Sequence, residues 1–161
     1  MNALILAAGY GKRLRPITDK LPKCLVKIKD KILLNMWLEK LLSVGVDKIL
    51  INTHYLSDQV ENFLKDSVYS KKIKIVKEKI LLGTAGTLNA NINFFDKKDG
   101  ILLHADNYCV ENLDSLIDAH KKRPQGCLMT MLTFKSSNPS SCGIVSLDER
   151  GVVKDFHEKV K

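Results

Sequence analysis

The sequence holds no Cys-x-x-Cys pair: its four cysteines, Cys24, Cys109, Cys127 and Cys142, lie far apart, and its four histidines show no ligand spacing. That excludes a zinc ribbon or a disulfide framework and leaves reduced thiols in a cytoplasmic protein as the expectation. No apolar run approaches the ~20 residues of a membrane helix, so no membrane partner is expected. The apolar start, Met1 to Ala8, has no basic segment before it and does not read as a signal peptide. Aromatic residues make up only 6% of the chain. Without an aromatic-rich strand or a recognition-helix pattern, a nucleic-acid-binding function is not expected either.

What is present is a chain of 161 residues, 45% hydrophobic and 27% charged, which fits one soluble globular domain. Its net charge of +8 is unevenly spread, since residues 81–161 carry ten basic and ten acidic side chains. The excess therefore lies in the first half. Residues 12–31 alone carry eight basic side chains against Asp19 and Asp30, and one basic segment points to a local anionic ligand.

Short apolar runs alternate with helical patterns. Ala3–Ala8, Ile49–Ile51, Ile73–Val76, Ile101–Leu103 and Cys127–Phe134 read as strands, the fourth of them central. Leu33, Leu34, Trp37, Leu38, Leu41 and Leu42 recur at helical spacing, with Gly45 as the stop. Ser57–Lys65, with Ser57 as N-cap, Ala85–Ile92 and Leu113–Lys122 read as further helices. Gly143–Leu147 and Val152–Phe156 form an antiparallel pair turned at Asp148–Gly151. This alternation predicts a three-layer α/β/α sandwich with a mostly parallel sheet. Ligands in such sheets sit beyond the carboxyl ends of the strands, which selects the segments 8–23, 78–86 and 105–108.

The first strand runs into Leu6, Ala7, Ala8, Gly9, Tyr10, Gly11, Lys12, Arg13 and Leu14. Small residues let a backbone approach a ligand closely, and amides flanked by cations can hold phosphate oxygens. The spacing is neither the dinucleotide fingerprint nor the P-loop, because Leu14 stands where the third glycine would be and no Gly-Lys-Ser/Thr follows. Continued through Arg15-Pro16-Ile17-Thr18 to Pro22-Lys23, the segment resembles the signature of the nucleoside-triphosphate:sugar-1-phosphate nucleotidyltransferases. The resemblance implies a Rossmann-like sheet of the nucleotide-diphospho-sugar transferase type. It also implies that the loop wraps a triphosphate, with Arg13 on the leaving phosphates and Lys23 at the reacting centre.

Three more segments extend the resemblance. Glu78 before Leu82-Gly83-Thr84-Ala85-Gly86-Thr87 matches the motif that reads the nucleobase, with Gly83 and Thr84 leaving room for base and ribose. An ionised glutamate only accepts hydrogen bonds, which favours guanine, whose edge presents two adjacent donors. Asp106, after Leu102-Leu103-His104-Ala105, matches the aspartate that binds Mg²⁺, although Ala105 replaces the usual glycine. His104 and Tyr108 have no assigned role, and a buried, hydrogen-bonded His104 is expected. Gly143 after Cys142, and Glu158-Lys159 after Phe156-His157, match the sugar side, with Val160 in place of the usual proline.

The implied reaction is an in-line displacement by a sugar 1-phosphate on a nucleoside triphosphate, GTP favoured, with Arg13, Lys23, Asp106 and Lys159 as the catalytic set. No nucleophilic Ser-His or Cys-His pair is needed. Mannose-1-phosphate guanylyltransferase-like members are the nearest type. The expected organisation is a single nucleotidyltransferase domain over residues 1–161, C-terminally truncated, with self-association or a second chain completing the site. The 161 residues are expected to bind nucleotide weakly and turn over poorly. A non-catalytic nucleotide-binding regulatory domain of the same fold is the alternative.

Overall fold

The computed structural model describes residues 1–158. The chain forms two compact units, Met1–Glu111 and Asn112–Lys161. The first holds β1 (Asn2–Leu6), β2 (Lys27–Ile28), β3 (Lys31–Ile32), α1 (Leu33–Ser43), β4 (Lys48–Thr53), α2 (Ser57–Lys65), β5 (Ile73–Lys77), α3 (Gly83–Ala90) and β6 (Gly100–His104). The second holds α4 (Leu113–Lys121), β7 (Gly143–Leu147) and β8 (Val153–Glu158).

The strands β1, β4, β5 and β6 form one parallel sheet in the order β5-β4-β1-β6. Their alternating side chains serve two faces. Leu4 and Leu50 pack with Phe95, Val76 and Leu88 of α3, while Ala3, Ile5, Ile49 and Ile51 are wholly buried on the other face. Right-handed crossovers carry α1 and α2 along one face as the chain steps from β1 to β4 to β5. The return from β5 past β1 to β6 then puts α3 on the opposite face. The result is the expected three-layer α/β fold with a parallel sheet.

The sequence order reverses between β1 and β6, the topological switch point where such sheets take ligands. Register aligns the strand ends there: Leu6 stands opposite both Asn52 and His104. Ala105 then donates its amide to the Leu6 carbonyl at 2.9 Å, so Asp106 emerges level with the loop after β1.

Several local expectations change. β6 is an edge strand among the described residues, not a central one. Cys127–Phe134 forms no strand; no ladder engages it, and Leu128, Met129, Leu132 and Phe134 are exposed. Ser57 does not cap α2, because it is already helical and Leu56 holds the cap position at φ 49°; the Ser57 hydroxyl donates to Asp58 instead. The short β2–β3 hairpin had no periodic signal. By contrast, Gly45 ends the α1 turn at φ 79°, and β7 pairs with β8 antiparallel about the Asp148–Gly151 turn.

Candidate active site

A cavity of about 240 Å³ opens at the switch point. Leu6, Ala7, Ala8, Gly9 and Gly11 line one side, Glu78, Gly83 and Thr84 another, and Lys23 and Asp106 a third. The structure thus gathers residues from four separate sequence segments into one place.

The glycine loop is held from below. Gly11 adopts φ 64°, and a Cβ there would stand 2.8 Å from Thr18 Cγ2 and 3.3 Å from Lys23 Cβ, so only glycine fits. The Gly11 carbonyl accepts from the Thr18 hydroxyl and the Leu14 amide, both at 2.9 Å. The Tyr55 hydroxyl in turn donates to the Thr18 carbonyl. Within the loop, the Ala7 amide donates to Asn52 Oδ1 at 2.7 Å and is therefore committed. Among the described residues, the amides of Ala8, Gly9 and Gly11 meet no protein acceptor. Lys12 lies over the Tyr10 ring, 5.6 Å from its centroid. Arg13 is exposed, and neither Lys12 nor Arg13 lines the cavity.

Lys23 Nζ donates to Asp106 Oδ2 at 2.6 Å, with the two side chains 29% and 37% exposed. Beside them Cys24 is buried, and that burial, with the Asp106 charge adding to it, pushes its thiol up to about 12. Of the two cavity carboxylates, Asp106 is the exposed one. No cluster of three or more His, Cys, Asp or Glu side chains suited to a metal exists among the described residues. A single exposed carboxylate with one oxygen on Lys23 and the other without a protein donor among the described residues fits a hard divalent cation whose other ligands are phosphate and water oxygens.

Glu78 is 6% exposed, not the solvated residue its lysine neighbours would suggest. Oε1 accepts from Asn52 Nδ2 at 2.9 Å and from the Thr87 hydroxyl, and Oε2 accepts from the Leu82 amide at 3.2 Å. Burial alone would raise its pKa; the donors Thr87, Asn52 and Leu82, with His54 nearby, outweigh it and hold the carboxyl below the ordinary range. A carboxylate offers about four acceptor sites. Three are taken, so the open one is on Oε2.

Asn52, Thr87 and His104 also line the cavity; Thr87 and His104 stand in quoted segments without an assigned role, and Asn52 stands in none. His104 is exposed, contrary to the expectation of a buried residue, because β6 ends there at the sheet edge. The available signal for Asn52 was a polar residue closing the buried apolar run Ile49–Ile51.

In the second unit Gly143 stands opposite Glu158 in the β7–β8 register. A Cβ on Gly143 would lie 2.5 Å from Phe156 Cζ and 3.1 Å from Glu158 Oε2, so glycine lets Phe156 and the Glu158 carboxylate lean across the ribbon. The pKa of Cys142 is lowered, chiefly by the Ser136 hydroxyl and then by that of Ser141, against burial and the Glu158 charge. Lys159 lies outside the described residues.

The chain matches the family described as nucleotidyl transferase over residues 2–161. It is 35% identical to mannose-1-phosphate guanylyltransferase 1 of Arabidopsis thaliana, covering 100% of this chain and 46% of that protein. It is 31% identical to the UTP–glucose-1-phosphate uridylyltransferase of Synechocystis, covering 99% and 44%. It thus spans less than half the length of these curated relatives. In fold it resembles the crystal structure of HddC from Yersinia pseudotuberculosis complexed with GMP-PN, with TM-score 0.79, 24% identity, and coverage of 99% of this chain and 70% of that one.

Proposed function

The chain belongs to the nucleotidyl transferase family, and from that premise we propose that it joins a nucleoside triphosphate to a sugar 1-phosphate. A phosphate oxygen of the sugar 1-phosphate attacks the α-phosphorus, the bond to the bridging oxygen breaks, and pyrophosphate leaves. The observation that carries this reading is the convergence of open loop amides, Lys23, Asp106 and an ionised Glu78 around one cavity at the switch point.

In this reading the amides of Ala8, Gly9 and Gly11, with Lys12 and Arg13, receive the triphosphate. Lys23 turns from Asp106 to the phosphate oxygens at the reacting centre, where its charge offsets the negative charge of the displacement. Asp106 is the residue that would hold Mg²⁺, which supplies charge neutralisation on those oxygens when bound. Gly83 and Thr84 border the base and ribose. Glu78 accepts one N–H from the base through its open site on Oε2; guanine is the base we propose, supported by the likeness to a mannose-1-phosphate guanylyltransferase. Gly143, Glu158 and Lys159 serve the sugar phosphate, and both units form parts of one nucleotidyltransferase domain in a cytoplasmic protein. Among the described residues, no helix is long and apolar enough to cross a membrane.

A thermal-shift screen of GTP, UTP, dTTP and CTP with Mg²⁺ tests the reading directly. GTP should raise the melting temperature most. Equal shifts for all four would overturn the guanine assignment, and no shift for any would overturn nucleotide binding by this chain.

A further inference from the structure

We propose that Asn52 is a positioning residue that fixes the spacing between the phosphate loop and the base-side carboxylate; this rests on the nucleotide-binding reading above. Asn52 is the penultimate residue of β4, and β4 lies between β1 and β5 in the sheet. From that place one short amide side chain reaches the segments that follow both neighbours. Its Oδ1 accepts from the Ala7 amide at 2.7 Å, and its Nδ2 donates to Glu78 Oε1 at 2.9 Å and to the Thr87 hydroxyl at 3.2 Å. Asn52 itself is 3% exposed, so water does not compete for these bonds, and an amide supplies both the acceptor and the donors that the arrangement needs. A carboxylate could serve Ala7 but would face Glu78 with like charge, and an aliphatic side chain would serve neither.

His54, two residues on, repeats the connection independently. Its Nδ1 lies 2.8 Å from the Glu78 carbonyl. A carbonyl only accepts, so Nδ1 donates to it, and Nε2 shares a hydrogen bond with the Tyr10 hydroxyl at 3.2 Å. Tyr10 belongs to the glycine loop. Two polar side chains at the end of β4 therefore tie the same two segments, one at backbone level and one at the rim. A nucleotide that spans both segments gains from a spacing set in advance, whereas a ligand that occupies the loop alone does not.

That difference provides the test. A fluorescent GTP analogue bound to the 161-residue chain is displaced with GTP and, separately, with inorganic tripolyphosphate, for the wild type, Asn52→Ala and Asn52→Asp. Asn52→Ala should weaken GTP at least about tenfold and leave tripolyphosphate within about twofold of wild type, since a misplaced base side penalises only the spanning ligand, whereas Asn52→Asp, whose charge repels both polyanions, should weaken GTP at least about fivefold more than tripolyphosphate. Should Asn52→Ala not fold, Asn52→Asp carries the same test through the difference between its two losses, because it conserves size and the Ala7 bond and removes the donors to Glu78 and Thr87. Equal losses for both ligands would mean general damage to the cavity and would overturn the proposal, as would unchanged GTP affinity. A wild-type chain that binds no nucleotide would overturn the underlying reading and this inference with it, an outcome distinct from normal binding in an insensitive variant.

Discussion

Lys23 Nζ lies 2.6 Å from Asp106 Oδ2, so a cation from the loop after β1 rests on the carboxylate that follows β6. Both side chains are about one-third exposed, and an ion pair in that setting is worth ~0–1 kcal/mol to folding. Its importance is therefore chemical. Lys23→Ala should leave the urea midpoint nearly unchanged while lowering nucleotidyl transfer, or nucleotide affinity where turnover is slow, by about 10²- to 10³-fold, as loss of one preorganised charge does. A drop in stability of several kcal/mol, or unchanged function, would contradict this division of roles.

Glu78 makes the opposite prediction, because its bonds are buried. Thr87→Val keeps the side-chain shape but removes a donor to the buried carboxylate, and should cost about 1–3 kcal/mol. The folded-state pKa of Glu78 is depressed, so its contribution to stability is fully present above the unfolded carboxyl value of about 4.3 and is lost as pH falls through the lower folded value. Denaturant midpoints measured from pH 6 down to pH 3 should fall less steeply below pH ~4 in Glu78→Gln than in the wild type, for the same reason. Parallel curves would show that the carboxylate is not held by these donors.

How much of this was legible in the sequence follows from the range of each signal. The strands Ile49–Ile51 and Ile73–Val76, and the helix from Leu33, announce themselves through apolar periodicity, which is local. The glycine loop, Lys23, Glu78 and Asp106 carried a motif. Asn52 did not, because its meaning depends on β4 standing between β1 and β5, a fact of sheet order that no single segment encodes. Cys127–Phe134 failed as a strand for a related reason: its composition is strand-like, but a strand exists only with a ladder partner. Ser57 was misplaced by one position, the ordinary margin for a helix end.

Gly11 combines a left-handed backbone with a Cβ position 2.8 Å from Thr18 Cγ2. Gly11→Ala should therefore destabilise the chain by about 1–3 kcal/mol through backbone strain. Gly9→Ala, where a Cβ would meet nothing within 4 Å, should be nearly neutral for folding. Because the Gly9 amide faces no protein acceptor among the described residues, the Gly9 change should still weaken triphosphate binding if the added methyl keeps phosphate from the loop. Chemical denaturation and nucleotide titration on the two variants separate the effects, and equal destabilisation by both would refute the stated geometry.

The cysteines supply a probe of the cavity floor that needs no substrate. Alkylation proceeds through the thiolate, and burial pushes the Cys24 thiol up to about 12, so at neutral pH it presents almost no reactive form. Cys142 is half-buried, and its pKa is lowered, first by the Ser136 hydroxyl and then by that of Ser141. Iodoacetamide at pH 7.5 followed by peptide mass mapping should label Cys142 well before Cys24, and Cys24 should become reactive only with unfolding. Ser136→Ala should slow labelling of Cys142 by raising its pKa back toward the ordinary thiol value. Early labelling of Cys24 in the folded wild type would mean that the wall beneath Lys23 is open to solvent, and would undo the account of how Lys23 and Asp106 are seated.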